Sequence, residues 1–464
     1  MSAPQLCTAQ EGPPDDERAA VLALVRRHGW NATSFQVLEP GYRYFFVGND
    51  ACVAYVDTGK AWVAAGAPLA EERRMAAVTA AFIAAARAVG RRACLFATEE
   101  RFTSLVTLPS VPDGEQPVWD PGSWPATLAR SRRLREQLRR ARAKGVRVRA
   151  IDTQEAMAAD TSIRAAILDL VRRWSRSREL APMGFLVQVE PFALLPGHRL
   201  FLAERDHQVI ALLSMTPIYA RGGWLLQHLI RAPNAPNGTT ETLVDQAMRF
   251  ASTDGAALVT LGLAPLAGGI PAPLRFARRA GRALFDFEGL RSFKAKLHPA
   301  RWDRVFVSFP PDVTAPRALG DVLTAFAPGG LLRFGLRTLM RGPTAVVRLL
   351  GLLLIPWTAL LVSADSRLWF PHPAIKWAWV AFDIGLVFGL RSLRHRWRNS
   401  LARALTAAVG ADAALTLLEA FAWNASRATG GSRVVVALAV VAPLVAFVAL
   451  WRASARRRST SPQN

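Results

Sequence analysis

The chain has 464 residues, of which 51% are hydrophobic and 20% are charged, so it is too long for one ordinary core and predicts two or three units. Lys and Arg number 58 against 35 Asp and Glu, a formal net charge of +23. This charge favours a polyanionic partner, either nucleic acid or an anionic lipid surface, although a codon bias towards Arg and Ala would also produce it. The three cysteines fit a reducing compartment and predict neither a disulfide framework nor a metal site.

Residues 1–18 are acidic, contain proline and have no apolar run. Such a segment predicts disorder and not a secretory signal, which needs an apolar stretch. We therefore expect the first two thirds of the chain to remain in the cytosol.

Residues 19–312 have the pattern of a mixed α/β protein in two halves, 19–145 and 146–312. Short apolar runs predict strands, and longer Ala-rich or amphipathic stretches predict helices. The first half has predicted strands over 51–56, 62–65 and 93–97 and a helix over 71–89. The second half has predicted strands over 146–151, 199–204, 209–216, 224–230 and 257–263, with helices over 157–178 and 240–253. Residues 205–208 predict a hairpin turn, and the similar halves suggest a duplicated module.

The most basic segment, residues 123–145, predicts a helix that begins at Ser123 and ends at Gly145. Within it, Glu136 is the only acid among eight Arg and Lys residues. A solvated helix usually mixes in acids four residues apart, so this surface suits a phosphate backbone. An ordinary exposed helix and an anionic lipid patch remain alternatives. The residues expected to bind nucleic acid are Arg132, Arg135, Arg139 and Arg142.

Polar residues concentrate where predicted strands end. His228 and Arg231 close one strand, and Glu241 opens the helix that follows a Pro/Asn/Gly turn. An open helix N-terminus offers N–H groups to an anion, so we expect these three side chains to meet at one site. Alternatively, Arg231 only neutralises Glu241. Further on, Lys294 and Lys296 alternate with apolar residues and predict one strand face with two ammonium groups.

The C-terminal third has a different composition. Residues 313–343 form a predicted linker, and residues 344–451 contain four apolar segments in series. Arginines cluster before the first segment, between the second and third, and after the fourth. This pattern predicts four transmembrane helices with both termini in the cytoplasm of a cell (inner) membrane protein, and a basic cytosolic tail at 452–464.

Three acids lie inside these apolar segments: Asp383, Asp412 and Glu419. Acids at membrane depth are costly and usually face a bundle interior or a water-filled path. Mutual structural pairing and a role towards a substrate or lipid headgroup both fit the sequence.

Together, these segments resemble the C-terminal catalytic domain of the phosphatidylglycerol lysyltransferase family, the aminoacyl-phosphatidylglycerol synthases. The resemblance covers roughly residues 35–310, and the basic helix and the turn at 66–69 fit it too. The motifs that carry it are His228-Leu-Ile-Arg231, Ala235-Pro-Asn-Gly-Thr239 with Glu241, Leu261-Gly-Leu-Ala-Pro-Leu266, and Gly289-Leu-Arg-Ser-Phe-Lys-Ala-Lys296 with Pro299 and Trp302.

The resemblance implies a tandem acetyltransferase-like (GNAT) fold that moves an aminoacyl group from aminoacyl-tRNA to a membrane lipid hydroxyl, with an anionic phospholipid, phosphatidylglycerol, as the expected acceptor. It implies no cofactor. Arg231, Lys294 and Lys296 would hold phosphate or the developing oxyanion, and Glu241 or His228 would accept the hydroxyl proton. The basic helix would collect tRNA.

The chain departs from the family pattern in three places. His228 replaces the usual Asp, Ala67 replaces the Asp of a Gly-Asp-Pro turn, and the membrane segments follow the catalytic domain instead of preceding it. The first departure lies where amino-acid or acceptor selection could occur, so lysine is not assured as the donor. The third gives no ground for a flippase function.

Two other functions remain open at this stage. The run from Arg139 to Gly145 also resembles the Fem-type ligases that add amino acids to cell-wall precursors, and acyl-CoA could serve as the donor. No pyrophosphate-binding loop for CoA is visible, which weakens that option. The other alternative is a non-catalytic protein that binds the membrane surface.

Overall fold

The computed structural model describes residues 15–151, 153–158, 161–178, 180–189, 197–269, 287–339, 345–363, 372–395, 398–424 and 431–458. The chain divides into two compact units. The first, which we call the sheet unit, comprises Met1–Ser175 and Pro182–Phe334. The second, the helical unit, comprises Arg176–Ala181 and Gly335–Asn464.

Among the described residues, twelve strands form one sheet in the order β1-β2-β3-β4-β12-β5-β10-β9-β8-β7-β6, with β11 paired to β5. The strands are β1 Arg43–Phe46, β2 Cys52–Asp57, β3 Ala61–Ala65, β4 Arg92–Glu99, β5 Ser110–Trp119, β6 Arg147–Ile151, β7 Arg199–Arg205, β8 Gln208–Ile218, β9 Gly223–Arg231, β10 Leu258–Thr260, β11 Ala264–Pro265 and β12 Arg301–Ser308.

Helices precede, separate and follow these strands along the chain. They are α1 Asp15–His28, α2 Met75–Ala88, α3 Glu100–Leu105, α4 Trp124–Arg130, α5 Arg132–Ala143, α6 Thr153–Met157, α7 Ser162–Ser177, α8 Thr239–Thr253, α9 Phe287–Ala295, α10 Ala315–Phe326 and α11 Leu331–Leu339. Because α1 begins at Asp15, residues 15–18 are helical, which corrects the prediction of disorder there. Residues 1–14 lie outside the described residues.

The two halves of the sheet repeat one topology. In the first, the β2–β3 hairpin is followed by α2, and β4 returns parallel to β3. In the second, the β8–β9 hairpin is followed by α8, and β10 returns parallel to β9. The prediction of two similar α/β halves is therefore confirmed. The strand β12 belongs to the second half by sequence, yet it lies between β4 and β5.

Most predicted elements have the expected type, but two predicted helices need correction. The hairpin turn is confirmed, because Asp206 and His207 both have positive φ (49° and 61°), the geometry of a tight hairpin turn. The predicted single basic helix is two helices, α4 and α5, which break at Ser131, and the Ser131 hydroxyl caps α5. The predicted helix over 157–178 is likewise replaced by the short α6 and by α7.

The predicted strand with Lys294 and Lys296 on one face is wrong. Lys294 lies in α9, and Lys296 follows its end. Phe293 and Leu297, four residues apart, both pack on the core of the second half. A run of only three alternating residues does not specify a strand, and here it forms the end of a helix and the turn that follows.

The helical unit contains four apolar helices: α12 Ala345–Ser363, α13 Pro373–His395, α14 Asn399–Glu419 and α15 Gly431–Arg458. They bury a shared cluster that includes Leu386, Leu390, Leu405 and Val409. Large apolar side chains also remain exposed on these helices, among them Phe388, Leu418, Val445 and Trp451.

Two of these helices are long and apolar enough to cross a membrane, over Pro373–Leu393 and Asn399–Trp423, judged by length and composition. The apolar parts of the other two are shorter, Leu349–Ser363 and Ala439–Arg452. The prediction of four spans thus stays a prediction.

Candidate functional site

The strand β9 carries a β-bulge at the predicted site. Ser214 of β8 lies opposite His228, whereas the next residue, Met215, lies opposite Leu226. Gln227 is therefore an extra residue in β9. A bulge redirects the side chains around it, and bulges are over-represented next to active sites.

The His228 ring is held at both nitrogens. Its Nε2 lies 3.0 Å from the carbonyl oxygen of Gln188, and its Nδ1 lies 3.0 Å from Ser214 Oγ. A carbonyl only accepts, so Nε2 carries the proton, and the Ser214 hydroxyl donates to Nδ1. Ser214 Oγ also accepts from the backbone N–H of His228 at 3.2 Å. Burial lowers the pKa of His228, so the ring is neutral and its one lone pair is already in use.

Arg231 does not meet His228. The two residues lie three apart on a regular stretch of β9, opposite Ala211 and Ser214. Side chains alternate between the faces of a sheet, so they point to opposite faces. This corrects the expectation that they share one site.

Arg231 and Glu241 are both half-buried. In the part of the chain that the structure describes, no carboxylate, including that of Glu241, lies within the 4.0 Å of an ion pair with Arg231. The alternative that Arg231 only neutralises Glu241 is therefore not supported by the geometry.

The basic helix α5 packs against the start of α8. Gly238, immediately before α8, has φ of 94°, and a Cβ there would lie 2.4 Å from the Gln137 carbonyl oxygen and 3.1 Å from the Ala141 Cβ. Only glycine allows this approach. A buried carboxylate, Asp245 of α8, accepts from Arg142 at 3.1 Å and thus also joins the two helices.

The exposed basic residues of α5 and its flanks form a surface that we call the α5 ridge. Arg139 and Arg140 pair with Glu136 at 2.8 and 2.6 Å. Arg135 donates to the carbonyl oxygens of Leu128 (2.7 Å) and Ala129 at the end of α4. The residues predicted to bind nucleic acid therefore differ in how many of their N–H groups already have a partner within the protein. The α5 ridge comprises Arg130, Arg132, Arg133, Arg135, Arg139, Arg140, Arg142 and Lys144.

Lys296 lies near the start of this ridge. His298, two residues further on, places Nε2 3.0 Å from the Ser131 hydroxyl at the break between α4 and α5. Lys296 itself is exposed. Its ammonium group is thus open to solvent.

Lys294 differs sharply from Lys296. It is 4% exposed, and its Nζ donates to the carbonyl oxygens of Leu261, Gly262 and Leu263 at 2.9, 2.8 and 2.8 Å. An ammonium group has three N–H donors, so all of them are used. Burial lowers the pKa of Lys294 to about 7, while the carbonyl acceptors favour its charged form. Lys294 thus fixes the segment between β10 and β11, and in this structure no N–H remains for a substrate oxyanion.

A second bulge, in β5, contacts the chain directly after β11. Val305 of β12 lies opposite Gly114 and Phe306 opposite Pro112, so Asp113 is the extra residue of β5. Its carbonyl oxygen accepts from the Leu266 N–H at 2.6 Å. Burial raises the pKa of the Asp113 carboxyl to about 7. Sequence reasoning misses Asp113, because its neighbour Pro112 and nearby Pro109 and Pro117 argue against a strand.

A buried polar cluster, also absent from the sequence motifs, lies beside the bulge of β9. Gln227 Nε2 donates to Glu39 Oε1. Glu39 and Tyr42 are each 5% exposed. Burial raises the pKa of Tyr42 well above its usual value, and the charge of Glu39 raises it further. Only the folded chain brings these residues together, since Glu39 and Gln227 lie 188 positions apart.

Among the described residues, no three or more His, Cys, Asp or Glu side chains are grouped so that they could hold a metal ion. The side chains described above offer charge, hydrogen bonding and proton transfer as their chemistry.

Comparison with known proteins agrees with this architecture. The C-terminal domain assigned to a putative lysylphosphatidylglycerol synthetase from Agrobacterium fabrum matches with a TM-score of 0.59 at 20% identity, covering 68% of this chain and 99% of that one. L-PGS from Bacillus licheniformis matches with a TM-score of 0.58 at 18% identity, covering 71% and 99%. At these identities the matches show a shared fold. No curated protein matches the chain in sequence.

The family comparison adds the sequence evidence. The model of the phosphatidylglycerol lysyltransferase C-terminal domain matches residues 22–309, which is more than half of the chain and includes the β9 bulge, the α5 ridge and the Lys294 contact. The resemblance predicted from the motifs is confirmed, and so is the tandem acetyltransferase-like fold. The chain therefore belongs to the phosphatidylglycerol lysyltransferase C-terminal family, a family of membrane-associated transferases.

Proposed function

We propose that the sheet unit transfers an aminoacyl group from aminoacyl-tRNA to a hydroxyl group of phosphatidylglycerol. In this reaction the lipid hydroxyl oxygen attacks the ester carbonyl carbon, and a new C–O bond forms. The bond from that carbon to the ribose oxygen of tRNA breaks, and the hydroxyl proton ends on the departing ribose oxygen. Because the donor ester is already activated, the protein mainly has to position two substrates and stabilise an oxyanion.

The observation that carries this proposal is the packing of the α5 ridge against the start of α8. A strongly cationic helix there suits a phosphate backbone, and the N–H groups at the start of α8 suit a further anion. The close approach of Gly238 to α5 supports a site in which a polyanion on the ridge lies near Glu241 and the end of β9. Family membership supports the lipid acceptor and the transfer reaction.

Within the proposed site, we assign charge stabilisation to Arg231 and Lys296. Arg231 is half-buried with no carboxylate in ion-pair range among the described residues, and Lys296 is exposed. Glu241 is the better candidate for accepting the hydroxyl proton, because the His228 lone pair is occupied by Ser214. Lys294 acts by holding Leu261–Leu263 in place.

The test uses the full-length protein in detergent or nanodiscs that contain phosphatidylglycerol. Radiolabelled aminoacyl-tRNAs are supplied one amino acid at a time, and the lipids are separated by chromatography. We expect label in a new, more basic phospholipid that RNase pretreatment abolishes. Label transferred from acyl-CoA instead, or to a peptidoglycan precursor and not to lipid, would overturn the proposal.

We also propose that the helical unit crosses the membrane four times, with both chain termini in the cytoplasm. The four apolar helices and the arginines between them support this arrangement. A reporter active only in the cytoplasm should work when fused after Arg398 or Arg458 and fail when inserted near Pro371. Activity at the Pro371 insertion would contradict the four-span topology.

A further inference from the structure

The four apolar helices α12, α13, α14 and α15 line a cavity of about 580 Å³, and all of its lining residues belong to the helical unit. Most of these residues are Leu, Val, Ala or Trp. The volume lies within the range of small-molecule sites, about 300–1,000 Å³, and far exceeds the roughly 30 Å³ that one water molecule occupies. The cavity is therefore large enough for an organic molecule with an apolar body.

The three acids of the apolar segments all line this cavity. Asp383 lies in α13, and Asp412 and Glu419 lie in α14. Because Asp412 and Glu419 are seven residues apart, they share one face of α14 and are separated by about 10 Å along its axis. None of the described residues that line the cavity is Lys, Arg or His. The cavity wall thus carries acidic groups without a basic partner.

Asp383 is 4% exposed. Its Oδ2 lies 3.4 Å from the Thr358 hydroxyl oxygen, but that hydroxyl also lies 2.7 Å from the carbonyl oxygen of Leu354, one turn earlier in α12. A hydroxyl group has one hydrogen, and the much shorter contact uses it. An ionised Asp383 therefore receives no hydrogen bond from the residues that the structure describes, although it lines the cavity.

The other two carboxylates are only partly satisfied. Glu419 Oε1 accepts from Trp379 Nε1 at 3.2 Å, and Asp412 Oδ1 accepts from the Thr416 hydroxyl at 3.2 Å. Within the described ranges, no N–H or hydroxyl group donates to the second oxygen of either residue. Carboxylates in apolar surroundings are destabilising unless they are paired, so a cation in this cavity would stabilise the helical unit.

The spacing of the acids decides which kind of cation fits. Among the described residues, these acids are not grouped so that they could hold a metal ion. A primary ammonium group brings one positive charge and three N–H donors, and a single carboxylate in direct contact is enough to bind it. The apolar walls leave room for a hydrocarbon chain attached to that nitrogen. The cavity therefore combines the two features that an amphipathic amine requires.

We propose that this cavity binds an amphipathic ammonium compound, with its charged nitrogen at Asp383 and its hydrocarbon part against the apolar walls. The inference goes beyond the transfer reaction proposed above and does not depend on it. Two kinds of molecule have this chemistry: an aminoacyl phospholipid, whose amino group is free, and a free long-chain amine.

The test uses the full-length protein in a nonionic detergent and a photoreactive decylamine that carries a diazirine in its chain. After irradiation, mass spectrometry locates the labelled residues. We expect label on residues that line the cavity, and excess decylamine should remove most of it. Decanol has the same chain length without the charge and should compete far less. Equal competition by decylamine and decanol, or label confined to residues outside the cavity, would overturn the proposal.

Neutral variants locate the charge that is recognised. Asp383→Asn should weaken competition by decylamine at least about 10-fold, because a hydrogen bond to a charged group is among the strong ones. Glu419→Gln should weaken it by a smaller factor, since Trp379 already occupies one of its oxygens. If Asp383→Asn fails to fold, as judged by its Tm, Glu419→Gln decides alone.

Asp206→Asn is the matched control. It makes the same change of charge at the hairpin turn of the sheet unit, where φ is 49° and Asn is readily accommodated. This variant should bind decylamine as the parent protein does. Unchanged binding in the folded cavity variants, or an equal loss in Asp206→Asn, would overturn the proposal.

Competition by two lipids then separates the two sources. If alanyl-phosphatidylglycerol displaces the probe and its N-acetylated form does not, the ligand is an aminoacyl lipid. If neither lipid displaces the probe while decylamine does, the ligand is a free amine. Both outcomes support the ammonium site. Because no tRNA and no transfer step enter these measurements, failure of the proposed function and failure of the ammonium site are seen separately.

Discussion

Positive charge is used in two different ways in the Lys294 contact and in the α5 ridge. Lys294 is buried, and three carbonyl oxygens occupy its three donors. The ridge residues are exposed, and among those that the structure describes Arg130, Arg132, Arg133 and Lys144 have no ion-pair partner. A basic residue can hold a substrate only if some of its N–H groups remain available. The number of donors already in use therefore separates structural cations from binding cations better than their position in a motif.

The largest expected effect comes from Lys294. Lys294→Met leaves three carbonyl oxygens without a donor and should release the segment between β10 and β11. We expect lipid product to fall by at least roughly 10²-fold, because a displacement of about 1 Å in the segment that supports a site can cost that much in rate. Hydrogen exchange in a peptide covering Gly262–Leu266 should speed up at least about 10-fold, because each missing hydrogen bond costs roughly 1–3 kcal/mol. Lys296→Met should lose activity without faster exchange there, and faster exchange in both variants would refute the distinction.

Arg231 gives the next largest effect. Arg231→Ala should lower kcat by roughly 10²–10³-fold with little change in Tm, because the guanidinium is proposed to act mainly in the transition state. Arg249→Ala is the control, since Arg249 lies on the surface of α8 and pairs with Asp245. A lower Tm with near-normal activity per folded molecule would assign Arg231 a structural role instead.

Charge reversal on the α5 ridge should have a moderate effect. Reversing Arg132, Arg135, Arg139 and Arg142 to Glu together should weaken tRNA binding and flatten its salt dependence, by roughly one unit of log–log slope for each phosphate that is no longer neutralised. The structure sharpens this expectation. Arg132→Glu and Arg133→Glu should each cost more affinity than Arg139→Glu, whose guanidinium is paired with Glu136.

Filter binding at several salt concentrations measures these differences, and liposome flotation of the same variants provides the comparison. Unchanged tRNA affinity and slope with weaker liposome binding would identify the ridge as a lipid surface.

His228 gives the smallest expected effect. His228→Asp restores the residue usual in the family, and it should change the preference among aminoacyl donors more than the overall turnover. The reason is that Asp can still accept from Ser214, so the bulge should remain, but it cannot donate to the Gln188 carbonyl. The substitution also replaces a neutral ring by a negatively charged carboxylate. Competition between pairs of labelled aminoacyl-tRNAs measures the preference. An unchanged order of donors would remove His228 from amino-acid selection.

The sequence predicts the second half of the sheet well because its strands are buried apolar runs with a clear turn at 205–208. It does not predict β5, since Pro112 and Pro117 disfavour a central strand, and yet β5 pairs along both edges through bulges and short ladders. It also misassigns Lys294, because three residues of alternation fit a strand and a helix end equally well.

The site residues also fall into two groups, those that can be predicted from the sequence and those that cannot. Motifs along one strand and one helix, such as those of Arg231 and Glu241, are local and can be read from the sequence. The Glu39–Gln227 contact joins distant segments through a register shift, and neither residue type signals the other. Exposure of a charged side chain also depends on tertiary packing, which explains why Lys294 and Lys296 could not be told apart beforehand.

The position of β12 has a consequence for biosynthesis. Until Arg301–Ser308 has left the ribosome, β4 and β5 each lack the neighbour that lies between them, and both present unpaired backbone groups. The first half of the protein, although synthesised early, thus cannot complete its sheet until nearly all of the sheet unit has been made. Nascent chains that stall before this strand would expose two open edges, so we expect them to depend on chaperones for solubility.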